Sequence, residues 1–122
     1  MAQAELLSNF IGGRWVPSSG TGTLDVHNPA RGVVIARTPL GTAADVDAAV
    51  AAAAKAFPGW SETPAVVRAR TMFTFRALLE AHFEELARLV TTEHGKTLDE
   101  SRGRVRRAIE CVEVACGAPS LL

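Results

Sequence analysis

Two short antiparallel β-hairpins followed by about four α-helices are what this sequence predicts, and three observations predict them. Two early segments rich in β-branched and aromatic residues each fold back around a turn of Gly, Asn or Pro. From Thr42 onward the apolar residues change to helical spacing and keep it to Cys116. The helices so defined carry apolar stripes, and two small hairpins do not make the sheet against which such stripes normally bury.

The first hairpin is expected over Asn9 to Val16, where Gly12-Gly13 can take the positive φ of a tight turn between Phe10-Ile11 and Trp15-Val16. Pro17 to Thr23 holds the turn formers of a flexible surface loop. Leu24 to Asn28 alternates at period two, Asn28-Pro29-Ala30-Arg31-Gly32 makes a turn, and Val33 to Ala36 gives the returning strand. No repeated strand-helix-strand unit is visible.

Thr42 then caps a first helix with Asp45 at its third position, and Val46, Ala49, Val50, Ala53 and Phe57 share one face. Pro58-Gly59 is expected to stop it, and Thr63-Pro64 to start a second helix with Pro at its first position. Val67, Phe75, Leu78 and Leu79 give that helix its stripe. Phe83, Leu86, Ala87 and Val90 continue the spacing to Gly95, with a bend near His82. Gly95 can close that helix with a left-handed residue. Thr97 and Glu100 form the capping box of a fourth helix that buries Leu98, Val105, Ile109, Val112 and Cys116.

Composition narrows the function classes. Thirteen basic and thirteen acidic residues cancel, so no global field draws in nucleic acid or a membrane surface. No apolar run approaches the ~20 residues that span a bilayer, and the amino terminus lacks a secretory pattern, which together indicate a soluble, cytoplasmic protein. Cys111 and Cys116 are the only cysteines. They suit buried, reduced thiols better than a disulfide framework or a zinc site. His27, His82 and His94 are isolated, so exposed or capping roles suit them better than metal binding. Trp15 and Trp60 are expected to fill the core or a subunit contact.

The segments Asn9-Phe10-Ile11-Gly12-Gly13-Arg14-Trp15, Asn28 to Gly32, Asp45 to Val50, Ala56-Phe57 with Trp60, Arg68-Ala69-Arg70 and Glu93-His94-Gly95-Lys96, in this order and spacing, resemble the amino-terminal part of the aldehyde dehydrogenase superfamily. Glu93 to Gly103, then Arg107, Ile109-Glu110, Val112-Glu113 and Ala115 to Pro119, look like the CoA-acylating methylmalonate-semialdehyde dehydrogenases. Arg104, Ala108 and Val114 depart from that pattern, standing where relatives often carry an acid, Gly and an aromatic.

The resemblance implies an α/β parent fold, with residues 1–122 an amino-terminal portion of its NAD-binding domain. It implies an NAD-dependent oxidation of a semialdehyde, in which an acyl thioester passes to CoA with loss of carbon dioxide to give propionyl-CoA or acetyl-CoA. It also implies a small-molecule semialdehyde and CoA as partners and a homo-oligomer at full length. The family's nucleophilic cysteine, general-base glutamate and cofactor loop would lie beyond residue 122, so no catalytic role passes to Cys111 or Cys116, and the chain alone is expected to be inactive. Two alternatives stay open: a parent that releases a free acid, and a truncated, non-catalytic helical module.

One side chain is singled out. By the same resemblance, Arg107 holds the free carboxylate of the semialdehyde, a task that suits a planar guanidinium donating two parallel hydrogen bonds. The competing explanation is that Arg102, Arg104, Arg106 and Arg107 form a solvated basic face, with Glu100–Arg104 and Arg106–Glu110 paired one turn apart. Glu93 and Lys96 suit a structural role at the turn between helices, Lys96 near the last carbonyls of the helix that ends there.

Overall fold

The computed structural model describes residues 4–121. The chain divides into two compact units between Gly59 and Trp60.

In the first unit, strands β2 (Asn9–Ile11) and β3 (Arg14–Val16) pair antiparallel around Gly12 and Gly13, whose φ angles of 60° and 81° are the positive pair a two-residue hairpin turn requires. Phe10 and Trp15 sit directly opposite each other with ring centroids 5.0 Å apart. Both remain mostly exposed, so Trp15 does not fill a core within the described residues. The second hairpin, β4 (Thr23–Asn28) and β5 (Val33–Pro39), turns on Asn28, whose side-chain oxygen accepts from the Ala30 and Arg31 amides at 3.0 and 3.2 Å.

One strand was not foreseen. Strand β1 (Glu5–Leu6) lies parallel to β5, making a three-stranded sheet ordered β1-β5-β4.

The expected loose loop is also tied down. The Asp45 carboxylate accepts from Ser18 Oγ at 2.6 Å, from the Ser19 amide at 2.9 Å and from the Thr42 amide at 2.9 Å, so Pro17–Gly22 is stitched to the start of helix α1 (Ala43–Glu62). These donors, Ser18 first, hold the Asp45 carboxyl far below the usual carboxylate range. Gly20 packs so closely on the Leu40 carbonyl that a Cβ there would collide with it.

Helix α1 does not stop at Pro58-Gly59. A proline inside a helix deletes one hydrogen bond and crowds the preceding turn, a local cost that an otherwise alanine-rich helix carries. It ends at Glu62, and the Thr63 amide turns back to the Trp60 carbonyl at 3.2 Å. None of its residues is buried, and Val46, Val50 and Phe57 are each at least 60 % exposed.

The second unit holds the helices α2 (Ala65–Ala81), α3 (Phe83–His94) and α4 (Leu98–Gly117), then a 3-10 turn at Ala118–Leu121. Pro64 is the residue before α2 rather than its first, with the extended ψ of 140° that a cap takes. His82 breaks the run between α2 and α3, at φ −104°, and its ring meets Glu85 at 2.7 Å.

Gly95 closes α3 at φ 79°, its amide donating to the Thr91 carbonyl at 2.9 Å. The α4 capping box is complete: the Glu100 amide donates to Thr97 Oγ1, and the Thr97 amide to the Glu100 carboxylate. The Thr97 hydroxyl, which also donates to the Glu100 carboxylate at 2.9 Å, and after it the Thr97 amide keep that carboxyl below its ordinary value.

The core is small. Ala87, Val105 and Ile109 are its buried centre, with Leu79, Phe83, Leu86, Val90 and Leu98 packed around them. Of the two free thiols Cys116 is buried, whereas Cys111 is exposed, against expectation. The face of α2 that carries Val67, Phe75 and Leu78 stays open to solvent.

Candidate functional site

Which arginine of α4 is free for a ligand follows from the helical repeat. Residues four apart share a face, so Arg102 and Arg106 point together, while Glu100, Gly103, Arg104 and Arg107 occupy another face.

The first face is occupied. Arg102 grips both oxygens of Glu84 on α3, at 2.8 and 3.0 Å, and also meets Asp99 at 2.8 Å. Arg106 donates to Glu80 of α2 at 2.6 Å and lies 4.8 Å above the centre of the Phe83 ring. Arg76 adds Glu113 at 2.8 Å. The expected one-turn pairs Glu100–Arg104 and Arg106–Glu110 are therefore not the ion pairs that form. A helix whose neighbours present acids along the contact seam satisfies its arginines across the seam.

These pairs set the pH response of the unit. The Arg102 guanidinium beside Glu84, and Arg106 beside Glu80, hold both carboxyls below their ordinary value of 4.5. The partner arginines are shifted upward in turn. A carboxyl that binds its proton less readily in the folded state contributes stability that is full above pH ~4.5 and is lost as the pH falls through the lowered folded value. Urea midpoints taken from pH 6 down to pH 3 should fall accordingly. Glu84→Gln should flatten the descent at low salt, and an unchanged slope would mean the pair does not couple to folding. Because all four side chains are partly exposed, the effect should shrink as salt screens them.

The second face is open. Arg107 lines a depression of ≈ 430 Å³ with Lys96, Glu100, Gly103 and Arg104. No ion pair or hydrogen bond engages its guanidinium among the described residues. Gly103, in the interior of α4, is disfavoured by ~1 kcal/mol relative to Ala there. A Cβ at 103 would meet nothing within 4 Å, so the floor of the depression is simply left without a side chain. Three cations and one carboxylate around that floor suit an anion, and the free planar fork of Arg107 suits a carboxylate. Lys96, adjacent to the left-handed Gly95, is half-buried at this rim.

Other candidates gather no site. Trp60 lines a separate, mostly apolar cavity in the second unit with Arg68 and Met72. Among the described residues no three His, Cys, Asp or Glu side chains are grouped to hold a metal ion, and no helix is long and apolar enough to cross a membrane. The parallel pair β1 and β5 has no helix as its crossover, and Gly41 is the single glycine between β5 and α1.

Sequence reasoning missed Ser101. It is fully buried and accepts from Thr91 Oγ1 at 2.9 Å, joining α3 to α4. Its position four residues before Val105 was the available signal.

The sequence pattern of the aldehyde dehydrogenase family matches residues 15–122. Malonate-semialdehyde dehydrogenase 1 of Geobacillus kaustophilus is 56 % identical over 120 residues, covering 98 % of this chain and 25 % of the relative. Among solved structures, the methylmalonate-semialdehyde dehydrogenase of Oceanimonas doudoroffii superposes with a TM-score of 0.92 at 42 % identity, over 97 % of this chain and 24 % of that one. An aldehyde dehydrogenase from Pseudomonas syringae, solved with NAD+ and octanal, superposes with a TM-score of 0.90 at 37 % identity, over 93 % and 24 %. The chain thus spans about a quarter of the length of the relatives it matches.

Proposed function

The chain belongs to the aldehyde dehydrogenase family, and from that premise we propose that residues 1–122 are an amino-terminal portion of the NAD-binding domain of a CoA-acylating malonate- or methylmalonate-semialdehyde dehydrogenase. In this reading the longer enzyme uses NAD and CoA, works as a homo-oligomer, and takes its nucleophile and cofactor site from polypeptide outside these residues. This portion contributes Arg107 to the substrate entrance.

The observation that carries the reading is the run of malonate-semialdehyde dehydrogenases, 48 to 56 % identical over nearly the whole chain. The geometry agrees with it. Neighbouring Arg102 and Arg106 are committed to acids, whereas Arg107, with Arg104 beside it, borders the floor cleared by Gly103 and makes no ion pair among the described residues. Large apolar side chains left open on α1 and α2 agree with a portion that lies against further polypeptide.

The test is a hybrid in which this chain replaces the matching quarter of the Geobacillus kaustophilus relative. The hybrid should reduce NAD with malonate semialdehyde only when CoA is present, and the 122-residue chain alone should not. Turnover that proceeds at full rate without CoA would shift the reading to a free-acid-forming dehydrogenase. A folded hybrid with no turnover on any aldehyde would defeat it.

A further inference from the structure

The Arg107 depression holds more positive charge than one carboxylate needs. Arg104, three residues before Arg107 on α4, borders the same floor, is exposed, and enters no ion pair or hydrogen bond among the described residues. Lys96 adds a third cation at the rim. Glu100 is the single carboxylate there, and one of its oxygens is tied to the start of α4 by the Thr97 amide and hydroxyl at 3.1 and 2.9 Å. The charges of Lys96 and Arg104 reach that carboxylate and help to keep it ionised. The lining as a whole is left with an excess of two positive charges.

A monocarboxylate cancels one of them. The Arg107 fork engages both of its oxygens, so a second guanidinium has no equivalent edge left to grip. An exposed guanidinium without a partner still acts at a distance, because a concave surface of one sign concentrates solutes of the other sign before contact. The charges of Arg102 and Arg106 are closed by Glu84 and Glu80, whereas that of Arg104 faces solvent beside the bare floor at Gly103.

We propose that Arg104 is a second specificity determinant of this depression, drawing carboxylate-bearing aldehydes toward Arg107 by its charge without clamping them. The proposal rests on the reading of Arg107 as the contact for the substrate carboxylate. Steering and clamping separate by their response to salt. The screening length falls from about 30 Å at 0.01 M ionic strength to about 3 Å at 1 M, which removes an attraction across water and spares most of a direct, two-pronged contact.

The test compares kcat/KM for malonate semialdehyde and propanal in the hybrid enzyme at those two ionic strengths. At the lower one, Arg104→Gln should reduce the value for the semialdehyde about three- to fivefold, the effect of one unit charge acting through water from roughly a helical turn away. Arg104→Glu doubles the change in charge and should square that factor. At the higher one, both variants should come within about 1.5-fold of the unchanged hybrid, and propanal should stay within about that range throughout. Arg107→Ala should keep most of its loss at both.

A loss for Arg104→Gln that persists in high salt would make Arg104 a clamp and overturn steering. A loss under about 1.5-fold at low salt would remove it from substrate choice, and equal losses on propanal would give it a structural role; either overturns the proposal. Any of these, in a hybrid that turns over with CoA and still depends on Arg107, leaves the proposed function standing. A folded hybrid with no turnover strikes the proposed function, and the steering role falls with it.

Discussion

Ile109→Ala should unfold in urea with about 2–5 kcal/mol less stability than the unchanged chain, the largest single loss expected in the second unit. Ile109 is completely shielded from solvent, at the centre of the cluster with Ala87 and Val105. Removing three carbons forfeits their transfer free energy and leaves a hole that neighbours fill only in part. Collapse is hindered because α4 is clamped on the seam by Arg102–Glu84 and Arg106–Glu80. Ile109→Val, which removes one carbon, should lose about 0.5–1.5 kcal/mol. Equal losses for the two variants, or a loss under ~1 kcal/mol for Ala, would show that this cluster is not the centre of the folded unit.

The second large effect is on substrate choice. In the hybrid enzyme, Arg107→Ala should reduce kcat/KM for malonate semialdehyde by roughly 30–150-fold, the equivalent of ~2–3 kcal/mol for a hydrogen-bonded charge, and should change kcat/KM for propanal by less than about threefold. Arg107→Lys should recover only part of the loss, since an ammonium cannot reproduce a two-pronged contact. Propanal differs from the semialdehyde by lacking the carboxylate, which makes the ratio of the two losses the informative quantity. Equal losses on both substrates would mean that Arg107 holds the helix, not the substrate.

The local features were the ones legible in the sequence. Gly12-Gly13, Asn28, Gly95 and the Thr97–Glu100 box act within four residues of themselves, and the structure places each in its expected conformation. What escaped depends on distant partners. Strand β1 pairs with β5 some thirty residues away, which no short pattern encodes. The loop with Ser18 and Ser19 looked flexible by composition, but the Asp45 carboxylate that orders it lies more than twenty residues along the chain.

The α4 arginines show the same limit. Spacing suggested the same-helix pairs Glu100–Arg104 and Arg106–Glu110, while Arg106 meets Glu80 of α2, and Arg102 meets Glu84 of α3 along with Asp99 of its own helix. Arg107 stood out through resemblance alone, and that its guanidinium lies unpaired beside Gly103 depends on which acids Arg102 and Arg106 reach, which spacing does not encode.

Helix α1 keeps its order although Val46, Val50 and Phe57 stay largely exposed among the described residues. A rod of that length, capped by Thr42 and Asp45 and dense in alanine, draws on hydrogen bonds between near neighbours in the chain. It can therefore take its shape from its own sequence and present those side chains as a finished surface, so that whatever docks there meets no helix left to wind.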